Sequence, residues 1–389
     1  MGLPKVAITL GNGNLGRTAA TDDGVAGLVL TGVATNQLAL ALPTVLFSLS
    51  DAEQLGITNA SANTYAYRHI KEFYDIAGEG AELYIMLVEN TVTMPQIADV
   101  TNANGAVKLL DAAKGRVRLL GITFNPADNY VAPTGEGMDG NVFDAVVKAQ
   151  QLAQAYTEQF KPVRILLEAN AVDIEHPEKL KDLRTLSANR VGIVLAGTYY
   201  DTPSVGLVIG RAASIPVQRN LGRVKDGALP ITNAYIASKK IEDISALELL
   251  HTKGYIFFRT FVGRSGYYLN DDPMCAPVTD DYSQLAMGRV IDKAITLSYQ
   301  TYVEELNDEV AIDENGKLSV PVIKYLQSRI ETAVNTAMAD EISSFSAYVD
   351  ANQNVLSTGK ITVRATIVPV GYTKTIEVLL GFSNPALNQ

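Results

Sequence analysis

The feature that most constrains this chain is a change of period between residues 96 and 229. Short apolar runs there alternate with segments whose apolar residues recur every three or four positions. Arg116 to Phe124 (RVRLLGITF) reads as a strand. Val142, Val146, Ala149, Ala153, Tyr156 and Phe160 then mark one face of a helix, which Pro162 ends. Val163 to Leu167 is the next strand, with Glu168 at its end. The pattern continues with a polar helix over 177–186, a strand over Val191 to Ala196, and a helix over Ser204 to Ala213 despite Gly206 and Gly210. Strands alternating with helices imply a parallel sheet covered on both faces.

The flanking regions have a different style. From Gly24 to Gly56 the chain reads as a strand (Val25 to Ala34), a second apolar run opened by Pro43 (Thr44 to Leu49), and a short helix. Ser50 and Glu53 fit a capping box for that helix, which Gly56 stops. Tyr65 to Tyr74 predicts a helix with Ile70, Phe73 and Tyr74 on its apolar face and His69 off it; Glu82 to Glu89 predicts a buried strand. Further on come a helix over Glu242 to Leu250, a strand over Tyr255 to Val262, and the beginning of another over Gly266 to Leu269. Two long helices follow. Met287, Ile291, Ile295, Tyr299, Tyr302 and Leu306 mark the first; Ile323, Leu326, Ile330, Val334 and Ala337 mark the second, with Ser319 at its cap and Pro321 in its first turn.

Both ends read as strands outside the core. Val6, Ile8 and Leu10 alternate near the start, set off by a glycine- and asparagine-rich link through Gly11, Gly13 and Gly16. Near the end, Ile361, Val363, Ala365 and Ile367 alternate with polar residues, and Ile376, Val378 and Leu380 follow a turn around Gly371. The expected fold class is α/β: a mixed α+β core with an inserted alternating β/α unit and extended β-strand arms at both termini. The expected boundaries are 1–20 (N-terminal arm and hinge), 21–95 (first part of the core), 96–229 (alternating β/α unit), 230–345 (second part of the core, with two long helices) and 346–389 (C-terminal β arm).

Composition and spacing argue against most chemistry. The net charge is −10, which opposes nucleic-acid binding, because backbone phosphates need clustered cations. The short basic cluster Arg211, Arg219, Arg223 and Lys225 is balanced locally by Asp226 and reads as a solvated or inter-subunit face. The single cysteine, Cys275, excludes an internal disulfide and reads as an inert thiol. His69, His176 and His251 lie far apart and form no zinc pattern. No apolar run is long enough to span a membrane, and MGLPKVAITL lacks a signal-peptide core, so a soluble cytosolic product is expected.

Gly11 to Gly16 matches GxGxxG, but RTAATDDGVAG follows it, and that stretch has no helical periodicity to hold a pyrophosphate. A hinge is the better reading. The loop 125–141 leaves a strand end, where open α/β sheets bind ligands, and carries Asp128, Glu136 and Asp139. It is the basis of one alternative function, an α/β enzyme or small-ligand-binding protein. The acidic pairs Asp271-Asp272 and Asp280-Asp281 sit beside turn and helix-start patterns and read as caps. No serine elbow is present. No catalytic, cofactor-binding or metal-binding residue is assigned, and no cofactor is expected.

Taken in order, four regions resemble contractile-tail sheath proteins of phages, R-type bacteriocins and related injection systems. They are Gly24 to Gly56 with the helix and strand that follow it, Val205 to Asp226, Lys253 to Leu269 with the two long helices, and Lys360 to Phe382. The resemblance implies a non-enzymatic structural subunit that polymerises into a helical contractile tube around an inner tail tube and drives its injection by a lattice rearrangement. It implies hexameric rings of this chain as the main partnership, with tube, baseplate and tail terminator proteins as further partners, and neither nucleic acid nor membrane. It places the protein in the bacterial cytoplasm during assembly and then in a virion tail or a released injection particle. It makes Val6, Ile8, Leu10, Ile361, Val363, Ile376, Val378 and Leu380 inter-subunit arm positions, with Gly11, Gly13 and Gly16 as the hinge. A lone strand with unpaired backbone groups is a template for joining a neighbouring sheet, which agrees with that role.

Overall fold

Apolar, β-branched runs bounded by turns become the strands of one sheet. The computed structural model describes residues 22–382. These divide into two units, one ending at Asp308 and the other beginning at Glu309. In the first unit the strands are β1 (Ala26–Thr31), β2 (Thr44–Leu46), β3 (Leu83–Val88), β4 (Leu119–Ile122), β5 (Arg164–Glu168) and β6 (Val191–Val194). They lie in the order β2-β3-β1-β4-β5-β6. All neighbours run parallel except β2, which closes one edge antiparallel to β3. Every residue of β1, β4, β5 and β6 is buried, as a parallel sheet covered on both faces requires. The sheet draws strands from both sides of residue 95: Val29 of β1 stands opposite Met86 of β3 and Ile122 of β4.

The connections are α1 (Leu49–Gln54), α2 (Thr64–Ala77), α3 (Met94–Ala98), α4 (Ala106–Ala112), α5 (Gly140–Glu158), α6 (Val205–Ser214), α7 (Leu247–Thr252) and α8 (Leu285–Val303). The capping box of α1 sits two residues earlier than the sequence predicts. Ser48 is the cap; its hydroxyl accepts from the Asp51 N–H at 3.2 Å, and Asp51 accepts from the Ser48 N–H at 2.9 Å. Both serines fit the motif, and Asp51 also takes the Phe47 N–H at 2.8 Å, which favours the earlier start.

The expected helix over 177–186 is instead two short 3₁₀ turns, Pro177–Lys179 and Leu183–Thr185. The Lys253 ammonium donates to the carbonyls of Pro177 (3.2 Å), Glu178 (2.7 Å) and Leu180. Those carbonyls are the ones a helix would have used internally.

Gly206 and Gly210 are what the helix pair needs. A Cβ at 206 would lie 2.0 Å from the His69 carbonyl oxygen, and one at 210 would lie 2.7 Å from that of Phe73. The two glycines let α6 lie directly on the backbone of α2. α8 is tied to the sheet by a buried charge pair. Arg164 of β5 donates to Asp292 of α8 through Nε (2.7 Å) and Nη2 (3.1 Å), and to the Gly288 carbonyl at 3.0 Å. Arg190 reaches the same carboxylate at 3.0 Å. A two-stranded hairpin, β7 (Phe258–Phe261) and β8 (Arg264–Leu269), completes this unit's main elements.

In the second unit, α9 (Val320–Ala337) packs on β9 (Ile342–Val349), which pairs antiparallel with β10 (Val363–Pro369). Ile323, Leu326, Ile330 and Val334 of α9 are buried, as are Ile342, Phe345 and Val349 of β9. Ser319 occupies the cap position of α9 without a side-chain hydrogen bond. The architecture is a mixed α/β fold with several sheets.

Candidate assembly surface

Two places in the molecule call for a functional reading: a buried polar network at the strand ends and the exposed edge of the second unit. The network comes first because it has the composition of a catalytic site. Glu168 ends β5 at the carboxyl edge of the sheet. It accepts from the Phe124 N–H at 2.8 Å and from the Tyr65 hydroxyl. His69 of α2 places Nε2 at 3.9 Å from Glu168, beyond hydrogen-bond reach, and its Nδ1 faces the Gly206 N–H at 3.4 Å. Glu72, one turn on, accepts from Ser204 (2.7 Å) and Thr198 (2.5 Å). Burial raises Glu168 to about 8 and Glu72 to about 7, and burial with the neighbouring Arg68 lowers His69 to about 3. At neutral pH the imidazole is uncharged. His69, Glu72, Glu168 and Ser204 are all buried, and the network joins α2, β5 and α6.

The loop that carries the alternative ligand-site reading is internally satisfied at its centre. Asp139 is buried, caps α5 by accepting from the Asn141 N–H at 3.0 Å, and accepts from Tyr130 (2.6 Å) and Asn170 (2.9 Å). Burial, and then the carboxylate, push Tyr130 up to about 12. Glu136 pairs with Lys181 at 2.7 Å. Asp272 accepts from the Ala286 N–H at 3.0 Å, at the start of α8, and Asn220 donates to both Asp271 and Asp272. Asp280 accepts from the Tyr282 N–H at 2.7 Å. Cys275 is buried, and burial pushes its thiol up to about 12. Among the described residues, no group of three or more His, Cys, Asp or Glu is placed to hold a metal ion.

The edge of the second unit is different: its polar groups are satisfied on one side only. Three side chains of α9 cover the outer backbone of β9. Gln327 donates to the Ala347 carbonyl (3.1 Å) and Glu331 accepts from the Ala347 N–H (2.8 Å). Asn335 both donates to the Phe345 carbonyl and accepts from the Phe345 N–H, each at 3.1 Å. Phe345 and Ala347 therefore turn their backbone groups away from β10. Opposite residues of an antiparallel pair do this together, so Ile367 and Ala365, which face Phe345 and Ala347, turn theirs outward from β10. Among the described residues, no further strand lies beyond β10 in this sheet. Beyond Pro369 the described chain has no regular secondary structure. Its apolar side chains stand in solvent: Ile376, Val378, Leu379, Leu380 and Phe382 are 68% or more exposed.

Of the expected arm positions, Val363 lies in β10 opposite Val349, and Ile361 just before that strand. Ile376, Val378 and Leu380 lie in the exposed segment and are not brought together with β10. Val6, Ile8, Leu10, Gly11, Gly13 and Gly16 lie outside the described residues. The sequence reading missed β9 and the polar side chains of α9 that cover it. A register irregularity between Ile342 and Ser344 breaks the alternation. Ile342, Phe345 and Val349 are therefore spaced by three and four, which looks helical.

No curated protein sequence is significantly similar to the chain. Its fold is shared with subunits of contractile particles over nearly the full length of both partners. A chain of the anti-feeding prophage baseplate aligns with a TM-score of 0.63 at 14% identity, covering 99% of this chain and 100% of that one. A chain of the contracted helical sheath of the same prophage gives 0.61 at 14% identity, covering 98% and 99%. A chain of the contracted PVC sheath complex, from an extracellular contractile injection system, gives 0.58 at 13% identity, covering 100% and 99%. Residues 3–273 match the family described as DUF2586, N-terminal domain, and residues 281–387 match DUF2586, C-terminal domain, so the chain belongs to the DUF2586 family.

Proposed function

We propose that this chain is a structural sheath subunit that polymerises into a contractile helical tube. The observation that carries the reading is the one-sided edge of the second unit. Among the described residues, an antiparallel pair with one edge covered by α9 and the other open is followed by a largely exposed apolar segment. An open edge and an uncovered apolar strand-former are complementary, and when they belong to different copies the contact is heterologous and propagates. The full-length likeness to subunits of contracted sheaths supports the same reading. Contraction is then a rigid-body rearrangement of a lattice held by tethers, with no bond hydrolysed at firing. The finer parts of the reading are hexameric rings, an inner tube, baseplate and terminator partners, assembly in the cytoplasm, and N-terminal positions Val6, Ile8 and Leu10 acting as a second arm hinged at Gly11, Gly13 and Gly16. The domain boundaries given above follow the same reading, with 346–389 supplying the C-terminal arm. Among the described residues, Asp139 of the acidic loop and Glu72 of the buried network are held by internal hydrogen bonds, which favours the structural reading over the catalytic one.

Negative-stain microscopy of the purified chain tests this. Hollow tubes are expected, and a chain carrying Ile376→Asp, Val378→Asp and Leu380→Asp is expected to give folded but unassembled particles. Normal tubes from that variant would overturn the arm assignment. Compact particles from the unmodified chain at all concentrations would overturn the sheath reading.

A further inference from the structure

A strongly positive surface of the first unit has no part in the strand-addition edge. The segment 216–229 runs beside β8: the Leu229 N–H donates to the Tyr267 carbonyl at 2.8 Å, and a Cβ on Gly266 would lie 2.6 Å from that of Ala228. This places Arg219, Arg223 and Lys225 of the segment next to the hairpin that carries Arg259 and Arg264. Lys225, Arg259 and Arg264 are exposed, and Arg219 and Arg223 have side chains 40% exposed. One carboxylate, Asp226, serves both Arg219 and Arg223, and it is itself largely covered at 11% exposure. The Asp226 and Gly227 carbonyls are already held by Arg211, at 3.1 and 3.0 Å. At the hairpin tip, Val262 is fully exposed, and the Arg259 guanidinium stacks on Phe261, 4.3 Å from the ring centroid. Five cations against Asp226 and Glu242, which accepts from the Tyr267 hydroxyl of the same hairpin, leave this face net positive in a chain whose net charge is −10.

We propose that this face docks the acidic segment 304–314 of a second copy of the chain. That segment, EELNDEVAIDE, holds six carboxylates and neither lysine nor arginine. The inference rests on the reading that the chain polymerises, and it adds a charge-complementary contact to the strand exchange. Two copies of net charge −10 repel at long range, so a stable contact needs local complementarity, which also fixes register. The joined surfaces are unlike, so the contact is heterologous, as a helical lattice requires. Salt weakens it, because exposed pairs are screened beyond about 10 Å at 0.1 M ionic strength.

The test uses the full chain as an equal mixture of ¹⁴N and ¹⁵N protein. It is treated with a zero-length carbodiimide, which joins lysines to carboxylates in contact, and imaged in parallel. Mixed-isotope crosslinks from Lys225 to residues of 304–314 are expected. Arg259→Glu with Arg264→Glu should cut their yield about tenfold, as should raising salt from about 50 to about 500 mM. Both arginines are exposed, so the fold is kept. Tubes without these crosslinks overturn the docking inference and leave the sheath reading standing. Crosslinks without tubes do the reverse, and absence of both overturns both. Crosslinks that survive the double charge reversal overturn the electrostatic basis of the contact.

Discussion

Asn335→Ala is the sharpest probe of how the second unit presents one open edge. Asn335 makes two of the four hydrogen bonds by which α9 covers β9, donating to and accepting from Phe345 at 3.1 Å each. Glu331 and Gln327 supply the other two, at Ala347. A net protein hydrogen bond is worth about 0.5–1.5 kcal/mol. Asn335 is itself solvent-exposed, so water can replace it in part, and the low end applies: about 1–2 kcal/mol for the pair. The loss is local to β9, because the buried face made by Phe345, Val349, Ile330 and Val334 is untouched. Hydrogen-exchange mass spectrometry on the full chain should therefore show peptides over 342–349 exchanging about 5- to 30-fold faster, the equivalent of that energy. Peptides over β1 and β5 should be unchanged. The freed groups also create a second open edge, so tubes from this variant should clump sideways. Unchanged exchange over 342–349 would refute the argument that α9 side chains close that edge.

Two further outcomes bear on the first unit. Asp292→Ala leaves Arg164, which is 1% exposed, as a buried charge without its carboxylate. Denaturant unfolding of the first unit should show a loss of about 3–5 kcal/mol, while Arg164→Met with Asp292→Leu should recover most of it; equal losses from both would exclude the ion pair as the anchor. The buried network should make stability depend on pH in two directions. Glu168 and Glu72 are raised to about 8 and about 7 from 4.5, so the folded state holds their protons more tightly and stability falls as pH rises through that range. His69 is lowered to about 3 from 6.5, so stability is lost as pH falls from 6.5 toward 3. Melting temperature against pH should flatten on the alkaline side in Glu168→Gln; an unchanged alkaline limb would contradict the assignment.

Much of the fold was legible because burial writes itself into apolar periodicity. The four-and-three spacing from Val142 to Tyr156 became α5, and the runs at 26–31, 83–88 and 164–168 became the centre of the sheet. The errors have physical causes too. The helix expected over 177–186 lost its carbonyls to Lys253, a residue far along the chain. The cap of α1 moved from Ser50 to Ser48 because two overlapping motifs compete and Asp51 satisfies more N–H groups from the earlier one.

The sequence by itself determined the alternating β/α layers, the two long helices and the apolar alternation near the C-terminus. Each depends on neighbours within a few residues, whose spacing is fixed by the helix or strand repeat. Tertiary structure alone decided which strands share the sheet, why Gly206 and Gly210 are needed, and where Arg164 finds its counter-charge. It also decided that α9 closes the β9 edge and leaves β10 open. Those are contacts between residues distant in sequence, and local spacing carries no record of them.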